Sequence, residues 1–234
     1  MSRQRDEKKV IFEHIEELRK RVLFSIISVV LLSALSYIYA EKILGLLARY
    51  VKTLVFISPQ EAFLAYLKIS LLSGLILSAP VILFNAFRFI WIALKRQEKR
   101  RFVLYFFVGT LLFATGTLFS YYVALPAAMR FLLGFASDLV RPYISVSRYI
   151  AFSAFLILAF SVAFEMPLVI VLLTRLGLLN ARFLRKKRKY FIVLLFIIAA
   201  MLTPPDVITQ ILLAIPLVVL YEVSILFARV AEKR

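Results

Sequence analysis

Phe191-Ile192-Val193-Leu194-Leu195-Phe196-Ile197-Ile198-Ala199-Ala200-Met201-Leu202 is an unbroken apolar run that stops at Thr203-Pro204-Pro205-Asp206, and a second largely apolar run, Val207–Ala228, follows. Apolar runs on either side of a double-proline turn predict a helical hairpin, because proline ends one helix and can open the next. The two arms read as a short hairpin. The first has 12 residues, about 18 Å at 1.5 Å rise per residue against a hydrocarbon core of about 30 Å. Both arms must therefore be buried against other helices, or the bilayer must thin around them. A local defect of that kind suits a protein that moves others across a membrane.

Four longer runs precede the hairpin: Val22–Ala40, Ala62–Leu94, Phe102–Pro126 and Tyr149–Arg175. Apolar and aromatic residues make up 63% of the 234 and charged residues 18%, well away from a soluble domain's usual balance. The sequence predicts an all-α polytopic membrane protein of six transmembrane helices, the last two short, in one integral domain over 1–234. Pro80, Pro126, Pro167 and Pro216 read as kinks that curve the bundle. The charged, helical stretch before Val22 is unlike a cleaved signal peptide, so the first span is expected to stay attached.

With six alternating spans, 22 of the 30 lysines and arginines fall on the side of the two termini and 6 on the other, while Lys68 and Arg88 lie inside spans and read as snorkelling. The positive-inside rule puts both termini in the cytoplasm. Topology and contact with anionic lipid account for the net charge of +17 without nucleic acid. On the outer side, Ile43, Leu46, Leu47, Tyr50, Val51 and Leu54 recur at helical spacing opposite Lys42, Arg49 and Lys52, which predicts an amphipathic surface helix. The segment Ala127–Arg148 reads as an outer loop with a turn at Arg141-Pro142.

Enzymatic function is disfavoured. There is no cysteine, a single histidine (His14) and six glycines, with no phosphate-binding loop, nucleophile elbow or zinc-binding helix. No metal or cofactor is expected. Attention falls on carboxylates. Glu165, in Phe164-Glu165-Met166-Pro167, lies within an apolar run where an ionised carboxyl is unfavourable; it is either functional or a protonated group bonded to a neighbouring helix. Gln210 and Glu222 share that ambiguity, and Gln210 stands one turn from Asp206. Glu17 either pairs with Arg21 on a solvated helix or receives a cation. Glu98 stands alone among the five bases of Lys95–Arg101 and is either balanced by them or a second cation receptor. Two carboxylates on one side match guanidinium groups through bidentate hydrogen bonds.

Several stretches, in order over almost the whole chain, resemble the TatC family of the twin-arginine protein translocase. They are His14-Ile15-Glu16-Glu17-Leu18-Arg19-Lys20-Arg21, Ser58-Pro59-Gln60-Glu61-Ala62-Phe63, Leu77-Ser78-Ala79-Pro80, Phe164-Glu165-Met166-Pro167, Leu184-Arg185-Lys186-Lys187-Arg188 and Leu202-Thr203-Pro204-Pro205-Asp206-Val207, then Gln210 and Leu213-Ala214-Ile215-Pro216. The resemblance implies a receptor for the paired-arginine signal peptides of folded cargo, working in an oligomeric complex driven by the proton-motive force. It implies that Glu17 and Glu98, supported by Arg19, receive the arginines. It implies that Glu165 lies in a concave intramembrane face and meets the small single-span partner proteins, with Asp206 and Gln210 at the outer end of the hairpin. The alternatives are a proton- or ion-coupled solute transporter using Glu165 and a scaffold that only assembles other membrane proteins; no internal repeat supports the transporter.

Overall fold

The computed structural model describes residues 2–51, 53–91, 102–135, 142–202 and 207–232. Helix α1 (Ser2–Tyr37) carries the basic leader straight into the first apolar run. The chain then turns through 84° into α2 (Ala40–Leu47) and a 3₁₀ turn (Ala48–Tyr50). A two-residue strand β1 (Leu54–Val55) leads to α3 (Pro59–Trp91), which passes through Pro80 without interruption. Helix α4 (Phe102–Phe119) continues through a π-helical turn (Ser120–Ala124) into α5 (Leu125–Leu133). Strand β2 (Ile144–Ser145) pairs in parallel with β1 and enters α6 (Val146–Ala163), followed by α7 (Met166–Arg175). The short α8 (Ala181–Lys186) precedes the hairpin arms α9 (Arg188–Leu202) and α10 (Val207–Glu232).

Four stretches among the described residues are long and apolar enough to span a bilayer: Pro59–Phe89, Val103–Leu133, Val146–Arg175 and Val207–Glu232; the bent pair α1–α2 makes a fifth. Among the described residues, each of the six predicted apolar runs falls largely on helix, with turns at Ile38–Tyr39 and Phe164–Glu165. Two boundaries differ from expectation. Residues 127–133, expected in the outer loop, are helical, because Pro126 stands in the first turn of α5 where its missing N–H matters least. The amphipathic outer helix ends at Leu47, earlier than its periodicity implies, because beyond Tyr50 the backbone is drawn into pairing with Ile144–Ser145.

The core centres on α6, which packs on α3, α4 and α10, while α1 lies along α3 and α7 against α10. Ile69, Leu125, Ile150, Leu156, Phe160, Leu213 and Tyr221 are almost completely buried. Large apolar side chains also point outward, including Val30, Leu31, Phe107, Leu111 and Val162, as a surface solvated by hydrocarbon requires. Without a hydrophobic force between helices in lipid, close packing holds them together. Gly74 lets α3 meet α1 so closely that a Cβ there would lie 2.0 Å from Ser33 Oγ. Gly116 does the same for α4 against α6, where a Cβ would lie 2.7 Å from the Phe160 carbonyl oxygen.

Candidate functional site

The face that carries the start of α1 and the end of α10 holds the first candidate region. Here Arg21, with 12% of its side chain exposed, bonds Glu17 one turn earlier and reaches the backbone oxygen of Asn85 on α3 at 3.4 Å. Asn85 in turn donates to Ser25 Oγ at 3.1 Å. This polar chain ties α1 to α3 at the mouth of an apolar cleft of about 710 Å³ whose walls include Leu18, Val22, Ile26, Leu75 and Phe89. Glu17 therefore stands where a carboxylate, 39% exposed, borders a hydrophobic groove.

Its neighbour Glu16 is a different kind of group. It is 65% exposed and bonds Lys20 at 2.9 Å, which holds its carboxyl below the usual range. Arg19 is exposed and, two residues from Glu17 at 100° per residue, points to a different side of α1. Glu98 and Asp206 lie outside the described residues. The structure shows the Glu17–Arg21 pairing that the sequence offered and adds Asn85, which the sequence did not mark; an amide in the facing apolar run was the available signal.

Glu165 occupies the second region. Regular helix breaks at Phe164–Glu165, and Met166-Pro167 opens α7, the position where proline is tolerated. Glu165 is 7% exposed, and neither carboxyl oxygen has a hydrogen-bond partner among the described residues. A carboxyl so placed is expensive unless another group meets it. Around it, Phe119 packs on Phe160 and Phe164 with ring centroids 5.5 and 5.4 Å apart, and Thr117 and Ser161 share a hydrogen bond of 2.7 Å. A lateral hollow of about 500 Å³ opens beside the break between Phe155, Val162, Met166, Leu195 and Ile198.

Gln210 is committed to structure: its amide donates to the Phe196 carbonyl at 3.1 Å and joins the two hairpin arms. Glu222 pairs with Arg188 at their opposite end. The arms run antiparallel, with Phe191 stacked on Tyr221 at 5.0 Å.

The opposite face is a cap. Glu61, in the first turn of α3, accepts from the Ile57 amide at 3.0 Å and from Ser145 Oγ at 3.2 Å. The Tyr121 and Tyr149 hydroxyls donate to the carbonyls of Leu46 and Leu47 at the end of α2. Lys68, expected to snorkel, donates to Ser147 Oγ at 2.6 Å.

These features define a polytopic helical membrane protein with a capped face, a basic face and a buried carboxyl between them. A family model described as Sec-independent protein translocase protein (TatC) matches residues 13–216. Similar chains include that family's proteins from Aquifex aeolicus, 41% identical over 95% of both chains, and Desulforapulum autotrophicum, 39% identical over 100% of this chain and 89% of the relative. The protein from Escherichia coli strain K12 is 37% identical over 94% of this chain and 88% of its own. A crystal structure of the twin-arginine translocase receptor TatC superposes with a TM-score of 0.87 at 42% identity, covering 94% of this chain and all of that one. The chain belongs to the TatC family of protein-translocase components. This is a protein-transport family and not an enzyme family, which sets aside the solute-transporter alternative.

Proposed function

We propose that this chain is the receptor of a twin-arginine translocase, which recognises the paired arginines of a signal peptide on folded cargo and assembles the complex that exports it with the proton-motive force. Glu17 carries the reading. It is a carboxylate at the mouth of an apolar cleft, and such a peptide presents guanidinium groups beside an apolar segment. One guanidinium docks on Glu17 and the second on Glu98, while the apolar segment enters the cleft between α1 and α3. Arg19 contributes at a distance through its charge, since it lies on another side of α1. Arg21 sets the geometry: it holds the Glu17 carboxylate in place until a substrate guanidinium shares or replaces it.

Glu165 is the meeting point for a single-span partner helix, supported by its burial and the absence of a described bond partner. Asp206 and Gln210 mark the outer end of the hairpin beside which that helix lies. The basic face borders the cytoplasm and both termini lie there, in keeping with the charge asymmetry.

A photo-reactive side chain at Val22, which is 47% exposed and lines the cleft, tests the reading in reconstituted membranes. A signal peptide bearing Arg-Arg is expected to form an adduct there and its Lys-Lys counterpart much less. Equal labelling by both peptides, or none by either, contradicts it.

A further inference from the structure

On the basic face, Arg182, Arg185, Lys186, Lys187 and Lys189 crowd the region from α8 to the start of α9, and none has an ion-pair partner among the described residues. Arg188, in their midst, is neutralised by Glu222. Lys187 and Lys189 each bring an ammonium group to 5.1 Å from the centroid of the same ring, Tyr190. Two like charges gathered on one ring repel each other, and an anion beside them relieves that repulsion.

The platform beneath them is firmly built. The Ala181 amide donates to the Glu232 carboxylate, Phe183 N–H to Asn180 Oδ1 at 2.6 Å, and the buried Tyr221 hydroxyl to the Leu184 carbonyl at 2.8 Å. Ala181 and Leu184 face inward, which leaves Arg182, Phe183, Arg185 and Lys186 exposed. Immediately beyond Tyr190, the apolar Val193, Leu194 and Ile197 on α9 are 58%, 49% and 52% exposed. A soluble anion would meet the cations alone; a ligand that continues into this apolar strip has an anionic head and a hydrocarbon tail.

We propose that the cluster at the start of α9 binds the headgroup phosphodiesters of anionic phospholipids, whose acyl chains lie along the exposed side of α9. Helix α9 has 15 residues, about 22 Å at 1.5 Å per residue, so lipid held at its start draws the leaflet surface toward the short hairpin and fixes where the bilayer is thin. The proposal is independent of the signal-peptide reading.

The test uses the full chain carrying Trp91→Phe and Tyr190→Trp, which leaves one indole, at position 190. It is reconstituted in phosphatidylcholine vesicles with a small fraction of brominated phosphatidylglycerol or brominated phosphatidylcholine. Brominated phosphatidylglycerol is expected to occupy the site about fivefold more strongly, as one basic group at a membrane surface implies. Lys187→Gln with Lys189→Gln removes the preference, Lys187→Arg with Lys189→Arg keeps it, and inorganic phosphate at fixed ionic strength leaves the quenching unchanged. Equal quenching by the two lipids in the parent protein overturns the proposal, as does a preference that survives the glutamine pair or displacement by free phosphate. The comparison in the parent protein stands even if the glutamine variant fails to reconstitute.

Discussion

Arg21 bonds Glu17 from one turn further along α1 and also reaches the Asn85 backbone oxygen on α3 at 3.4 Å, so the carboxylate at the mouth of the cleft is fixed relative to both walls. A carboxylate held in this way needs little ordering to meet an incoming cation, and ordering would subtract from affinity. Adjacent acidic residues on α1 should consequently behave very differently.

Glu16→Gln is expected to change affinity for an Arg-Arg signal peptide by less than about twofold, because Glu16 is solvated and its bond to Lys20 is an exposed pair. Glu17→Gln keeps the shape of the side chain but loses the charge, and is expected to weaken binding about tenfold, the effect of losing a charge-assisted hydrogen bond of ~1.5–3 kcal/mol. Fluorescence anisotropy of labelled peptide in detergent, at one salt concentration, separates the two.

Gly116→Ala is expected to destabilise the protein by ~1–3 kcal/mol, the range for overpacking, because its methyl would lie 2.7 Å from the Phe160 carbonyl oxygen and 2.9 Å from Phe164 Cβ. Gly45→Ala, with nothing within 4 Å, is expected to be neutral or slightly stabilising. Thermal unfolding of the two variants in the same detergent measures the difference.

Gln210→Leu removes the amide bond to Phe196 and retains most of the volume. Polar bonds between membrane helices average about 0.6 kcal/mol, so total stability is expected to change little, while amide exchange in α9 and the first turns of α10 quickens. Exchange unchanged in both helices would show that Gln210 does not hold the hairpin.

Glu61→Ala removes the acceptor shared by Ile57 and Ser145, and Tyr149→Phe leaves the Leu47 carbonyl at the end of α2 without its side-chain donor. Each is expected to loosen the cap, read as faster hydrogen exchange over residues 40–57, while affinity for signal peptide at the far face stays unchanged.

The apolar runs made the helices legible in sequence, since spanning a bilayer leaves a long composition signal. What escaped depends on contacts distant along the chain. The end of α2 follows from pairing of Leu54 with Ile144, which no local periodicity encodes. Proline signals were ambiguous for a physical reason: Pro80 and Pro216 sit inside continuous helices, Pro126 opens one after a π-helical turn, and Pro167 follows a true break. Lys68 read as snorkelling because Ser147, its partner, lies 79 residues away. In the candidate regions, Glu17, Glu165 and Gln210 were visible as charged or polar groups near or within apolar runs, whereas Asn85 was hidden among neighbours with no charge to mark it. The difference in exposure between Glu16 and Glu17 needed the third dimension, because both have a basic residue one turn away.

The most direct measurement compares affinity for one fluorescent signal peptide, as Arg-Arg and as Lys-Lys, at fixed salt, in the parent protein and in Glu17→Ala, Glu98→Ala and Glu165→Ala. The receptor account expects the parent to prefer Arg-Arg, because an ammonium group cannot reproduce the planar fork of guanidinium. It expects that preference to disappear in the first two variants and to persist in Glu165→Ala. Equal binding of both peptides by all four proteins would contradict it.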